Sequence, residues 1–337
     1  MLYEPTTLAA LTKLLVTVLR NDYDVDPQPI FAAAGIDLDQ PSSPQQRYPL
    51  SKIRKLWMLA RNATGDNAIG LRTGQHATPA HLYALGCAWM ASSTLLDAMQ
   101  RLVRYHRLLS TVVVQISIRE LDDCYVLSTT FPDKSRCPPK EGIDCSMTAL
   151  LRLCDLATGK DIRPLKVDLV CAATVHPDEY RKALRAPINF SSEVGRFYFD
   201  KETMLCRLQH DAPEIVKATD RVAEQYIESL EPDKVASQVR RLLIALLPSG
   251  QTDQSMVSHQ MNRSVSTLQR QLQLEGSSYR DVLESTRRSL AEDYLREHKH
   301  SQAQIAYLLG FSDQSNFSRA FKRWTNIGPK EFQERYQ

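Results

Sequence analysis

Two short runs of this chain carry side chains suited to reading another polymer rather than to making or breaking bonds. In the first, Gln314, Ser315, Asn316, Arg319, Lys322 and Arg323 fall on one side of a helical projection. In the second, Ser266, Thr267, Gln269 and Arg270 do the same, with Gln273 beside them. Gln and Asn amides pair with adenine through two hydrogen bonds, an Arg guanidinium forks onto guanine, and Lys or Arg neutralises phosphate. Together these groups make a surface for double-stranded DNA. One polar helix face on its own is an ordinary solvated surface; two of them, each behind a tight turn, need a common explanation.

The elements around each run supply it. Ser301 and Gln304 form an S-x-x-Q capping box that starts a helix at 302, with Ile305, Ala306, Leu308 and Leu309 along one apolar face. Gly310 follows, where a left-handed backbone is cheapest, and Phe311 plugs the turn. Ser312 and Asp313 are N-caps for a second helix whose Phe317, Ala320, Phe321 and Trp324 face inward. Upstream, 254–261 and 264–274 form another helix pair closed by Gly276, with Val265, Leu268 and Leu272 expected in the core. A long helix over 278–298, capped by Ser278 and Asp281, joins the pairs through Tyr279, Val282, Leu283, Leu290 and Leu295. Two helix-turn-helix units, at about 254–275 and 302–324, are therefore expected. Held on one rod, they would read major-groove segments roughly 10 bp apart. A helix over 235–247, stopped by Pro248-Ser249-Gly250, precedes them.

The run IAYLLGFSDQSNFSRAFKRW followed by Pro329 resembles the C-terminal signature of AraC/XylS-family transcription regulators, and the likeness extends over 234–336. The resemblance implies a sequence-specific DNA-binding regulator, with RNA polymerase as a second partner. It places the base-reading positions on Ser266, Gln269 and Arg270 and on Gln314, Ser315 and Arg319, with Asn316 adjacent. One departure is Asn326, where the family usually has Gly. The N-terminal part resembles the effector domain of a branch related to ornithine-utilisation activators, through LAALTKLLVTVLR and AIGLRTGQHATPAHLYALGCAWMASSTLLDAMQRLVRYHRLLS. It does not look like the short cupin-type arabinose pocket with its HxH. The resemblance implies a sensor of a small molecule.

At 337 residues, 43% hydrophobic and 24% charged, the chain fits two ordinary globular domains. The fold class expected is an α+β N-terminal sensor domain joined to an all-α C-terminal domain with two helix-turn-helix units. The domains are expected at 1–206, a connecting or dimerisation helix over 207–232 with Ile215, Val222, Tyr226, Ile227 and Leu230 as a partial seam, and 233–337. Glu231-Pro232-Asp233 marks the boundary. The net charge of +3 lies wholly beyond residue 230, where 15 Lys and Arg meet 12 Asp and Glu. No apolar run approaches the roughly 18 residues that span a bilayer, and the N-terminus lacks the features of a signal peptide. A cytoplasmic location without membrane contact is the expectation.

In the first domain, helices are expected over 2–20, 30–35, 51–62, 79–91, 94–110, 143–158 and 176–186. Strands are expected over 111–118 and 124–131, which form a hairpin, and over 165–171, 188–190 and 195–200. In 94–110 one stripe carries Leu95, Met99, Leu102, His106 and Leu109. A His on such a stripe is more often a hydrogen-bonded core residue than a ligand. His106, Arg104 and Tyr105 are nevertheless the candidate effector-binding residues, the arginine suited to an anion. The effector expected is a metabolite such as an amino acid or organic acid, the regulator an activator, and its state a homodimer.

Seven cysteines, all before residue 207, show no C-x-x-C and no zinc spacing, and read as small, buried, reduced side chains. A redox-responsive regulator using these cysteines is the alternative. An enzyme fused to a DNA-binding domain is a second, from another class. Against it, there is no G-x-S-x-G, H-E-x-x-H, P-loop or dinucleotide fingerprint, so no catalytic residue, cofactor or metal is assigned.

Overall fold

A computed structural model describes residues 4–40, 43–171, 177–230 and 234–335. The expected breaker Glu231-Pro232-Asp233 and the expected helix start at His176 lie outside the described residues. The chain divides into two compact units, Met1–Ile227 and Glu228–Gln337.

The first unit opens with strand β1 (Thr6–Leu8), a 3-10 turn and α1 (Lys13–Asn21). The helix expected over 2–20 is thus corrected. The β-branched Thr6 and Thr7 pair antiparallel with Arg47–Pro49, and the Thr6 N–H donates to Thr111 Oγ1 at 2.8 Å, so tertiary partners override helical spacing. Then come α2 (Pro27–Ala33), β2 (Arg47–Pro49), α3 (Leu50–Thr64) and α4 (Ile69–Gln75). Gly70 and Gly74 lie inside α4, which was not anticipated. A Cβ at Gly70 would collide with the backbone of Glu141, and one at Gly74 with Thr148 and the Cys145 carbonyl. Both glycines therefore serve the close approach of two helices rather than a turn.

The helix expected over 79–91 is broken. A 3-10 turn at Pro79–Leu82 and α5 (Ala84–Met90) meet at Tyr83, whose φ is 55°. Next are α6 (Leu95–Leu109), β3 (Gln115–Glu120), β4 (Cys124–Thr130), α7 (Lys140–Thr158), β5 (Lys166–Asp168), α8 (Pro177–Leu184), β6 (Ile188–Asn189), β7 (Gly195–Asp200), α9 (Lys201–Leu205) and α10 (Pro213–Leu230). Five strands form one sheet in the order β3-β4-β7-β5-β6. Gln115 faces Thr130, Tyr125 faces Phe199 and Val167 faces Phe197 in antiparallel register, while β5 and β6 run parallel. A mostly antiparallel sheet, with α7 and α8 inserted between its strands and the other helices before and after it, is an α+β arrangement. Leu14, Leu15, Phe31, Leu56 and Trp57 anchor a core among the first helices.

The second unit is helical: α11 (Val235–Leu246), α12 (Gln254–Gln260), α13 (Val265–Leu274), α14 (Tyr279–Glu297), α15 (Gln302–Leu308), α16 (Gln314–Thr325) and α17 (Pro329–Arg335). It has two small cores. Val239, Leu243, Val257, Leu268 and Leu272 form one, and Ile305, Leu309, Phe317, Phe321 and Phe332 the other. The rod α14 serves both, giving Tyr279 and Val282 to the first and Ala291 and Leu295 to the second. Val265, expected in the core, is 37% exposed, because the first residue after the N-cap still faces solvent.

Candidate nucleic-acid interface and effector cavity

Helix α16 begins at Asp313, whose carboxylate accepts from the Asn316 N–H at 2.7 Å, and α13 begins at Ser264, whose hydroxyl accepts from the Thr267 N–H at 3.2 Å. Exposed at the helix N-terminus, the Asp313 carboxyl is held below its ordinary range, first by the Asn316 backbone N–H. Counted from these caps the two helices correspond. Ser266 and Ser315 are the second helical residues, and Arg270 and Arg319 sit about one turn further at the same offset. Ser266, Gln269, Arg270, Gln314, Ser315, Arg319, Lys322 and Arg323 are exposed, while Thr267 and Asn316 are half-buried.

The structure differentiates these candidates. Asn316 donates from Nδ2 to Ser312 Oγ at 2.7 Å and Asp313 Oδ2 at 2.6 Å, and its Oδ1 accepts from the Arg319 guanidinium at 2.7 Å. Asn316 thus sets the direction of Arg319. Arg323 instead reaches back to Glu284 on α14 at 3.0 Å, a carboxylate shared with Arg280. Thr267 is drawn into the cap of α13, its Oγ1 lying 2.8 Å from Ser264 Oγ. Gln314 donates to Gln302 at 3.1 Å and Gln269 to Gln254 at 3.4 Å, each tying its recognition helix to the first residue of the helix before the turn.

One structural residue escaped the sequence reading. Arg287, half-buried on α14, donates to the carbonyls of Leu309 and Gly310 at 2.9 Å each and lies 4.5 Å over the Phe311 ring. It also reaches Thr252 at 3.4 Å, in the loop before α12. Gly310 itself has φ of +66°, and a Cβ there would come within 3.0 Å of the Leu247 carbonyl. Arg287 falls on the stripe of Leu283 and Leu290, and a cation in an apolar row was the available signal. Asn326 ends α16 with φ of 65°, the left-handed conformation that Asn tolerates better than other non-glycine residues.

In the first unit a cavity of about 300 Å³ opens between α1, α3, α6, α7 and the sheet. Leu102, His106 and Leu109 line it from α6, Trp57 from α3, and Ile116 and Phe197 from the strands. His106 Nδ1 lies 3.0 Å from the Val103 carbonyl, one turn back. Burial lowers the pKa of this imidazole below its ordinary 6.5, so the ring is neutral near pH 7.

Arg104 and Tyr105 are not among the lining residues. Arg104 pairs with Glu224 of α10 at 2.7 Å, the Tyr105 hydroxyl donates to the same carboxylate at 3.3 Å, and the Arg104 guanidinium lies 5.1 Å from the Tyr105 ring centre. One turn earlier, buried Arg101 pairs with Asp97 at 3.1 Å and with Asp220 of α10 at 3.5 Å. Val216, Asp220, Ala223 and Tyr226 of α10 are buried, while Ile215 and Val222 are exposed.

All seven cysteines are free, but burial holds for Cys145 and Cys154 alone, and Cys87 is exposed. The expectation of uniformly buried thiols is corrected accordingly. Burial pushes the Cys145 thiol up to about 12, and raises those of Cys154, Cys137, Cys171 and Cys206, the reverse of a reactive thiolate. Among the described residues no group of three or more His, Cys, Asp or Glu is placed to hold a metal ion, and no helix is long and apolar enough to cross a membrane.

A family model described as the arabinose-binding domain of AraC transcription regulator, N-term, matches residues 25–208, and a helix-turn-helix domain model matches 257–335. The chain is 26% identical to the ornithine utilization regulator of Pseudomonas aeruginosa, over 93% of this chain and 92% of that one. It is 32% identical to the HTH-type transcriptional regulator VirS of Mycobacterium tuberculosis, over 58% and 57% of the two chains. Among solved structures, the transcriptional regulator CdpR from Pseudomonas aeruginosa is 19% identical with a TM-score of 0.41, covering 91% of this chain and 96% of that one.

Proposed function

This chain belongs to the AraC transcription regulators, and from that premise we propose that its two recognition helices read successive major-groove segments of one operator under the control of a small molecule held in the N-terminal cavity. It is a DNA-binding regulator with an effector-binding N-terminal domain. The observation that carries the reading is the equal placement of Arg270 and Arg319, each the same number of residues past its N-cap, on helices sharing the rod α14. In this reading Ser266, Gln269, Arg270, Gln314, Ser315 and Arg319 reach base edges, and Lys322 neutralises phosphate. Thr267, Asn316 and Arg323 act through the helices that hold them, Arg323 through Glu284.

The control runs through α6. Its Leu102, His106 and Leu109 line the cavity, while its Arg101, Arg104 and Tyr105 grip α10, the last helix before the DNA-binding unit in sequence. A ligand that binds the two positions of α6 unequally shifts the population of α10 positions. The regulator acts as a homodimer in the cytoplasm and activates through RNA polymerase. The pentose in the family's description and the amino acid in the relative's name both demand many polar partners, which this cavity lacks.

Titration of the full-length protein with operator and scrambled duplexes over a salt series tests the DNA reading. Affinity should fall linearly in log salt, with a slope of about −0.9 for each phosphate neutralised. Lys322→Ala should reduce that slope by about 1 on every sequence, and Arg323→Ala should change it little. Binding without salt dependence, or no preference for any genomic site, would sink the proposal.

A further inference from the structure

The cavity's lining is specific enough to say what enters it. Among the described residues no Asp, Glu, Lys or Arg lines it. Several of the hydroxyls on its wall are already engaged locally. Thr12 donates to the Ala9 carbonyl at 2.7 Å, Ser146 donates to the Ile143 carbonyl at 2.7 Å, and Thr7 and Ser110 hydroxyls lie 3.4 Å apart. A carboxylate or ammonium placed here would lose water without gaining a counter-charge, and would neutralise or stay out. An amino acid carries both.

His106 is different. Its Nδ1 faces the Val103 carbonyl at 3.0 Å, which makes Nδ1 the protonated nitrogen and Nε2 the lone-pair acceptor. Among the described residues no hydrogen bond is made at Nε2. The lowered pKa keeps that lone pair available at neutral pH. The wall thus offers one uncommitted ring acceptor, beside a few hydroxyls such as that of Thr129, in an otherwise apolar chamber. Size follows from the volume: an apolar cavity of about 150 Å³ holds benzene, so about 300 Å³ suits on the order of a dozen carbons.

We propose that the cavity binds a neutral, apolar molecule of about a dozen carbons carrying one hydroxyl-type donor, which His106 Nε2 accepts while the chain lies between Leu102, Trp57 and Phe197. This rests on the reading of the cavity as the effector site, and it replaces the charged metabolite expected from sequence with an uncharged one.

The test uses the full-length protein and linear 1-alkanols from hexanol to tetradecanol, with L-lysine and sodium decanoate at pH 8 as charged comparators. Trp57 and Trp89 line the cavity, two of three tryptophans in the chain, so intrinsic fluorescence reports occupancy directly. Affinity should tighten roughly three- to fourfold per added methylene, then stop or reverse near a dozen carbons. The break distinguishes a bounded chamber from general greasiness. His106→Leu should weaken decanol about fivefold and leave 1-chlorodecane, which has no donor, unchanged. Leu102→Trp should move the break to shorter chains; if that variant does not fold, Val114→Phe serves the same end.

Affinity that climbs through tetradecanol without a break overturns the proposal, as does decanoate or L-lysine binding as tightly as decanol, or no alkanol binding at all. Operator titrations of the same samples separate this from the regulatory reading. Decanol that binds but leaves operator affinity unchanged upholds the chamber and refutes effector control through it. L-lysine that alters operator affinity without alkanol binding does the opposite.

Discussion

Asn316 and Arg319 offer a prediction in which the structure sets both sign and size. Arg319→Ala removes a guanidinium whose bidentate contact with guanine discriminates by about 1–3 kcal/mol, or roughly five- to 150-fold between operator and scrambled duplex. Asn316 contributes differently. Its Nδ2 is committed to Ser312 and Asp313, at 2.7 and 2.6 Å, so its carbonyl oxygen is fixed and holds Arg319 at 2.7 Å. Without it the arginine must be immobilised on binding, at about 0.5–1.5 kcal/mol for a long side chain. Asn316→Ala alone should therefore cost about that much on the operator. In an Arg319→Ala background the same change should cost close to nothing. The cap survives, because Asp313 still accepts the backbone N–H of residue 316. Fluorescence anisotropy of the four proteins on both duplexes completes the double-mutant cycle, with melting curves to verify equal folding. Strictly additive losses would refute the positioning role. An Arg319→Ala loss equal on both duplexes would make the contact one to phosphate.

Two further outcomes follow from backbone and burial. Asn326→Gly should raise the melting temperature slightly and Asn326→Ala should lower it, the latter by about 1 kcal/mol, since φ of 65° disfavours any residue with a plain Cβ; equal melting of the two variants would exclude a left-handed cap there. For the thiols, a labelling reagent followed by mass spectrometry should find Cys87 first and Cys145 and Cys154 only on unfolding. Because Cys145 is pushed up to about 12 when folded, against about 8.5 unfolded, its contribution to stability is complete below about pH 8.5. It is lost as pH rises towards 12, and a stability profile rising across that window would contradict the assignment.

The helix-turn-helix pairs were legible in sequence because their determinants are local. Ser301 with Gln304, and Ser278 with Asp281, make the capping boxes that the spacing implied, and Gly310 sits in the left-handed turn. The hairpin of β3 and β4 was readable for the same reason: alternation and a polar turn belong to one short stretch. What escaped was set by distant partners. β1 depends on Arg47–Pro49, α4 on the backbone of α7, and the cavity on residues from Thr7 to Phe197. His106 could be singled out as a residue, but not the uncharged walls around it. Arg101 was readable as a cation on the stripe of Ala98, Tyr105 and Leu108, though its partner Asp220 lies over a hundred residues on.

That ion pair bears on how a cavity ligand can act at all. Arg101 and Asp220 are both buried, so drawing them apart gives up a charge contact away from water, although Asp97 keeps its hold on Arg101. Arg104 and Tyr105 add a second, partly exposed hold on Glu224 one turn along. Sliding α10 independently of α6 would break both, so the two helices move together or not at all. Shifting a two-state balance from 1:99 to 99:1 takes about 5.5 kcal/mol of differential binding. Burying a dozen methylenes at about 0.8 kcal/mol each gives a gross term near twice that. The ligand therefore suffices if about half of its apolar contact is available in only one position of α6. Leu102, His106 and Leu109 occupy one stripe of that helix, so a shift of α6 changes all three contacts at once. A helix that reads the cavity on one face and is ion-paired to α10 on the other needs no further relay within this unit.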